Sequence, residues 1–254
     1  MLLAVDVGNT NTVIGLFEND CLICDWRIRS TPAITEDEFN IVMSNLFQSR
    51  SVNPARIRKT IVSCVVPAMM KILDDYCAKY LGHRPSWIDA GSVNMPVLYD
   101  NPEEVGADRL VNGIAAYHIY KTSLIVIDFG TATTFDVITA KGEYLGGAIA
   151  PGIGIAAEAL FQRASKLPRV ELFNPPKTAI GKNTVHSMKS GIIYGYSEMV
   201  DGMVGRIKGE MQKPEPKVIA TGGLATLMQN ISRSIDSVES GLTLEGLRII
   251  GQQL

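Results

Sequence analysis

The chain has 254 residues, 46% of them hydrophobic and 20% charged, with a formal net charge of −2. That balance fits a globular protein of one large domain or two small ones and excludes a disordered or low-complexity chain. A charge so near zero gives no support to binding of nucleic acid or an anionic membrane surface, and no apolar run reaches the length of a membrane span.

The N-terminus meets an acid at Asp6 and has no basic start. It does not read as a secretory leader, and cytoplasmic residence is the expectation. Leu2-Leu3-Ala4-Val5 and Val13-Ile14-Gly15-Leu16-Phe17 are short apolar runs bounded by turn residues, which predicts two strands of a hairpin. Its tip, Asp6-Val7-Gly8-Asn9-Thr10-Asn11-Thr12, is built of residues that tolerate tight turns. Such a tip offers backbone N–H groups and small hydroxyls to a phosphate chain. Asp6, at the end of the first strand, is placed to hold Mg²⁺ directly or through water.

A third strand is expected near 21–29. It contains Cys21 and Cys24, whose odd separation points them to opposite faces of a strand. Cys64 and Cys77 stand alone, so four reduced thiols are expected rather than a zinc site. Thr35 with Glu38 forms a capping box for a helix near 36–49. A strand over Ile57–Val66 ends at Pro67, which opens a helix near 68–81. Trp87-Ile88 reads as a short strand, and a helical region is expected over about 102–121.

The opening plan then returns. Leu124-Ile125-Val126-Ile127 leads into Asp128-Phe129-Gly130-Thr131-Ala132-Thr133-Thr134, followed by Phe135-Asp136-Val137-Ile138. Asp6 aligns with Asp128, Gly8 with Gly130 and Thr12 with Thr134. A repeat near half the chain length predicts two similar lobes, 1–117 and 118–254, with the boundary within 112–122. Two acid-tipped hairpins facing one another across a cleft would clamp a nucleotide. Further strands are expected near 132–139 and 143–150, then a helix near 153–165 and an exposed loop over 166–183. A long helix over about 184–212, capped by Asn183 or Thr184, carries a broad apolar stripe suited to a core, a dimer interface or both. Lys217–Ala220 is a strand, Thr221-Gly222-Gly223 a turn, and helices follow near 224–231 and 241–252.

The chain lacks G-x-x-x-x-G-K-[ST], H-E-x-x-H and a Ser/His/Asp layout. Gly152-Ile153-Gly154-Ile155-Ala156-Ala157 fits a dinucleotide pattern but has no βαβ unit around it, so it reads as a decoy for NAD. Gly106-Ala107-Asp108-Arg109 allows a functional reading. Asp108 would accept a proton from a substrate hydroxyl, and Arg109 would grip an acidic substrate. The neighbouring arginine should keep Asp108 ionised and therefore a weak base. Glu103 and Glu104 are rival carboxylates that spacing leaves open.

The pair of acid-tipped hairpins resembles the phosphate motifs of the acetate and sugar kinase/Hsp70/actin superfamily. Together with Gly106-Ala107-Asp108-Arg109, Ile149-Ala150-Pro151-Gly152 and Thr221-Gly222-Gly223, the set resembles type III pantothenate kinase across nearly the whole chain. The resemblance implies an α/β fold of two ribonuclease H-like (actin-like) lobes, each a mixed β-sheet with flanking helices, with a nucleotide cleft between them. It implies ATP-dependent phosphorylation of pantothenate, the first step of coenzyme A synthesis. It assigns ATP contacts to Asp6, Val7, Gly8, Asn9, Thr10, Asn11, Thr12, Val13 and Thr131. It assigns pantothenate contacts to Tyr99, Gly106, Ala107, Asp108 and Arg109, with Asp108 as catalytic base. Asp128 would coordinate a monovalent cation, K⁺ or NH₄⁺, while Mg²⁺ arrives with ATP. Thr184 would complete the substrate site of the partner chain in a homodimer. A phosphohydrolase of the same fold and a non-catalytic nucleotide-binding regulator are the alternatives. The Asp108-Arg109 pair argues against the hydrolase, which needs no acceptor site.

Overall fold

The structure is a computed structural model and describes residues 1–211 and 214–254. In chain order the elements are β1 (Leu2–Val7), β2 (Asn11–Glu18), β3 (Cys21–Arg29), α1 (Glu36–Ser49), β4 (Lys59–Cys64), α2 (Pro67–Tyr76), β5 (Ser86–Trp87) and α3 (Ala107–Tyr120). They continue as β6 (Leu124–Phe129), β7 (Ala132–Ile138), β8 (Tyr144–Pro151), α4 (Ile153–Arg163), α5 (Thr184–Met211), β9 (Lys217–Thr221), α6 (Ala225–Gln229), β10 (Ser237–Val238) and α7 (Leu242–Gln253). The chain divides into two compact units, residues 1–118 with 241–254, and residues 119–240.

The first unit is a five-stranded sheet in the order β3-β2-β1-β4-β5. β1 runs antiparallel to β2 and parallel to β4. Period-two alternation sends Leu3, Val5, Val7, Ile14 and Val62 to one face, where they pack with Phe39 and Met43 of α1 and Met69 and Leu73 of α2. The opposite face presents Ala4, Phe17 and Ile61 to Val111 of α3 and to Leu244, Leu247 and Ile250 of α7. Burying this apolar stripe is why α7 belongs to the first unit. The expectation that the second lobe runs to residue 254 is corrected here. Two polar ties hold the same helix. Lys59 Nζ donates to the Gly251 carbonyl at 2.7 Å, and the buried Arg248 donates to Asp20 Oδ1 at 2.6 Å and to Glu245.

The second unit repeats the plan as β10-β9-β6-β7-β8, with β6 antiparallel to β7 and parallel to β9. One face of this sheet, with Ile125, Ile127, Phe135, Val218 and Ala220, packs on Ile153 of α4, Ile193, Val200 and Val204 of α5, and Met228 of α6. The duplicated lobe expected from the repeat is therefore present as two sheets of matching strand order.

Several boundaries moved. The expected helix over 68–81 is α2 followed by one π-helical turn, Cys77–Leu81, ending at Gly82 with φ 74°. The helical region expected from 102 starts with a single 3₁₀ turn, Pro102–Glu104, and becomes α-helical only at Ala107. β10 has two residues and leaves no periodicity to read. The end expected for the long helix, Gln212, lies outside the described residues. All four cysteines are free. Among the described residues no helix is long and apolar enough to cross a membrane.

Gly246 of α7 lies against α3 so closely that a Cβ there would meet Val111 Cγ1 at 2.6 Å and the Val111 carbonyl carbon at 3.0 Å. Gly246→Ala is therefore expected to destabilise the protein by about 1–3 kcal/mol. Urea denaturation followed by circular dichroism measures this, and an unchanged midpoint contradicts the packing described for α7.

Candidate active site

β1 and β2 pair down to Val7 opposite Thr12, which leaves residues 8–11 as the turn. Gly8 N–H donates to the Asn11 carbonyl at 3.0 Å and closes it. Asn9 and Thr10 are exposed at the tip, while Asp6 is half-buried at the end of the strand. The tip is further fixed by a residue that sequence reading missed. Ser30, buried just after β3, donates its hydroxyl to the Gly8 carbonyl at 2.6 Å, and its N–H donates to the Thr10 carbonyl at 3.1 Å. Thr12 Oγ1 lies 2.9 Å from Ser30 Oγ, and since the serine proton is already given to Gly8, Thr12 is the donor there. A lone serine after Arg29 carries no spacing signal, because the contact is made across two strands.

The same unit holds the candidate base. Val65 N–H donates to the Val7 carbonyl at 3.0 Å, joining the end of β4 to the end of β1. Gly106 packs beside Val65; a Cβ on that glycine would lie 3.8 Å from Val65 Cγ1 and 2.6 Å from Asp108 Oδ1. The turn therefore needs a glycine so that the Asp108 carboxylate can fold back over it. α3 begins at this point, and the Asp108 carboxylate accepts the Arg109 N–H at 2.9 Å. Burial raises the Asp108 pKa above the ordinary carboxylate value, and the Arg109 N–H and guanidinium offset only part of that. The expectation of a weak base held down by arginine is thus reversed in direction. Arg109 itself is buried. Ala107 is buried beside it, Tyr99 is half-buried in the preceding loop, and both rival acids, Glu103 and Glu104, are exposed. Glu104 also accepts Asn101 Nδ2 at 2.8 Å.

In the second unit the turn is shorter. β6 and β7 pair as far as Phe129 opposite Thr133, and Gly130 N–H donates to the Ala132 carbonyl at 3.0 Å. The register consequently differs by one residue between the two hairpins. Asp6 faces Val13 across its pair, whereas Asp128 faces Thr134. Because side chains alternate along a strand, this slip places Thr134 and Asp136 on the face of Asp128, where the first unit has Val13 and Gly15. The alignment of Thr12 with Thr134 holds in the sequence and not in the fold.

Thr221 lies opposite Asp128 on β9, so Thr134, Asp128 and Thr221 form one row across three strands. Gly222 follows with φ +90°; a Cβ there would collide with Asp128 Oδ1 and come within 2.7 Å of the Phe129 carbonyl. The Thr221 hydroxyl donates to the Glu239 carbonyl at 2.8 Å. A carboxylate flanked by hydroxyl oxygens in a cradle that admits no side chain suits a hard cation or ammonium. Thr131 is exposed at the hairpin tip, and its carbonyl accepts the Gly152 N–H at 3.1 Å. A Cβ on Gly152 would lie 2.7 Å from the Gly130 carbonyl, so the first glycine of the decoy motif is there for packing.

Thr184 opens α5, and Asn183 caps that helix by accepting the His186 N–H at 2.9 Å. Thr184 lines an apolar groove of ≈ 530 Å³ with Leu160, Leu167, Met188, Ile192 and Tyr196. The hairpin residues 128–134 do not line this groove.

Comparison with known proteins fits this geometry. Residues 2–206 match the family model described as type III pantothenate kinase. The chain belongs to the type III pantothenate kinase family. It is 64% identical over 251 residues to a type III pantothenate kinase of Desulfatibacillum aliphaticivorans, covering 98% of this chain and 97% of that one. It is 59% identical over 255 residues to the type III pantothenate kinase of Desulforapulum autotrophicum, covering 100% and 97%. Among solved structures, the activator of 2-hydroxyisocaproyl-CoA dehydratase from Clostridium difficile, with bound ADPNP, superposes with a TM-score of 0.60 at 14% identity, covering 99% of this chain and 93% of that one. That likeness is one of fold, two actin-like lobes.

In a type III pantothenate kinase the ordering of the first hairpin tip should appear in nucleotide affinity. Ser30→Ala removes both hydrogen bonds of that hydroxyl, each worth about 1 kcal/mol, so ATP is expected to bind at least about fivefold more weakly. Isothermal titration with Mg²⁺-ATP checks this, and unchanged affinity separates the tip from nucleotide binding.

Proposed function

We propose that the chain transfers the γ-phosphoryl group of ATP to the terminal hydroxyl of pantothenate, giving 4′-phosphopantothenate and ADP, and that the residues described above do this work. The observation that carries the residue assignment is the tie through Val65, which fixes the base-bearing turn to the acid-tipped strand within one unit. Asp6 to Val13 bind the phosphates of ATP through backbone N–H groups and small side chains, and Thr131 adds a second contact. Asp108 accepts the hydroxyl proton as the oxygen bonds to the γ-phosphorus and the bond to ADP breaks. A base lifted by burial suits this better than an ordinary surface carboxylate. Arg109 pairs with the pantothenate carboxylate, and Tyr99, Gly106 and Ala107 wall the same site.

Kinase chemistry with ATP implies a divalent metal, and among the described residues no group of three or more His, Cys, Asp or Glu side chains forms a metal cage. Mg²⁺ would enter with ATP, held by Asp6 through water, and a monovalent cation, K⁺ or NH₄⁺, would sit at Asp128. When bound, the two cations neutralise phosphate charge. The apolar groove beside Thr184, with Ile180 and Val185 exposed near it, supports a homodimer in which Thr184 of each subunit serves the other's substrate site. Four free thiols support a cytoplasmic site of action.

Asp108→Asn is expected to keep ATP affinity and lower the transfer rate by about 10²–10⁴-fold. The sign of its effect on stability also follows. A carboxyl whose pKa is raised on folding lends stability at low pH, which is lost as pH rises through the folded-state value. At neutral pH the charged group is a burden, so the asparagine variant should melt no lower than the parent. The acid limb of kcat/KM in the parent should fall above the ordinary carboxylate range. Full activity in a folded Asp108→Asn protein would falsify the base assignment.

A further inference from the structure

Among the described residues the most deeply buried acid is Asp136, which is fully buried in the middle of β7. Its Oδ1 accepts the Tyr144 hydroxyl at 2.8 Å and its Oδ2 accepts the Thr134 hydroxyl at 3.0 Å. Burying a carboxylate costs several kcal/mol even when it is hydrogen-bonded. The corresponding position of the first hairpin, opposite Ala4, is Gly15, packed against the Leu244 side chain. An apolar solution thus exists in this fold, and the second unit does not use it.

The position of Thr134 gives the acid a purpose. As the cross-strand partner of Asp128 it leaves the sheet on the same face, with Cβ atoms about 4.5–5.5 Å apart. A hydroxyl has one proton and two lone pairs, and this proton is given to Asp136. We propose that Asp136 is a positioning residue for the cation at Asp128: by taking the Thr134 proton it leaves the Thr134 oxygen as a pure acceptor beside the Asp128 carboxylate. K⁺ and NH₄⁺ both need such acceptors. The one-residue register slip between the hairpins is then what distinguishes the two acids. Asp6 faces Val13 on β2, while Asp128 faces the Thr134–Asp136 pair on β7. This inference rests on the reading of Asp128 as the monovalent-cation ligand.

The test measures the response to K⁺ at constant ionic strength, with choline as the replacement ion and Mg²⁺-ATP present. One readout is the rise in thermal midpoint with K⁺, a binding linkage independent of turnover. The other is the K⁺ concentration giving half-maximal activity. In Asp136→Asn the amide would donate to Thr134 and turn its proton toward the cation. Asp136→Asn and Thr134→Val are each expected to need at least about tenfold more K⁺ in both readouts, the usual cost of losing a partner behind a metal ligand. Thr134→Ser, which keeps the hydroxyl, should restore the parent response. Tyr144→Phe removes the Tyr144 hydroxyl bond to Asp136 and should lower the thermal midpoint without changing the K⁺ requirement. A parent-like K⁺ response in Thr134→Val overturns the proposal even if Asp136→Asn does not fold. If Asp128→Asn abolishes the K⁺ response while both other variants keep it, this inference fails and the reading of Asp128 stands. If Asp128→Asn keeps the response, the reading of Asp128 itself fails.

Discussion

The geometry of the candidate site in the first unit depends on one short contact, the Val65 N–H donated to the Val7 carbonyl. It extends the parallel pairing of β1 and β4 by one step beyond the strands proper and brings the chain after β4 to the root of the hairpin tip. Gly106 packs on the Val65 side chain, and Asp108 folds back over Gly106. Two features distant in sequence, an acid-tipped turn and the half-buried Asp108, thereby belong to one unit. Catalysis of phosphoryl transfer is mostly a matter of alignment.

Duplication supplies the second constraint. Both units use the same strand order and place an acid at the end of the central strand, yet they differ in how quickly the following strand turns back. A turn one residue shorter exchanges the faces of every side chain on β7 relative to β2. The first acid shares its face with Val13 and Gly15. The second gains Thr134 and Asp136 beside it, with Thr221 on its other side and Gly222 closed over it. A repeat can in this way give two acids chemically different surroundings without any change in topology.

Much of this was legible in the sequence because it is local. Short apolar runs in Leu2–Val7 and Leu124–Phe129, the capping box at Thr35 and Glu38, and the turn residues at Gly8 and Gly130 each act within a few positions. The hairpins and the repeat follow from them. What stayed hidden is non-local. Ser30 reaches the tip only across β2. The direction of the Asp108 shift depends on burial that a tetrapeptide does not reveal, and the visible arginine pointed the other way. The place of α7 was missed because its apolar stripe names a core but not which core. The hairpin register turned on a single residue of turn length.

The central claim is that the phosphoryl group goes to a bound alcohol and not to water. The direct measurement follows the fate of γ-³²P-labelled ATP with the parent enzyme, Mg²⁺ and K⁺, with and without pantothenate. With pantothenate the label should appear on 4′-phosphopantothenate in step with ADP, and without it little inorganic phosphate should form. Label released as inorganic phosphate at the same rate in both cases would contradict it.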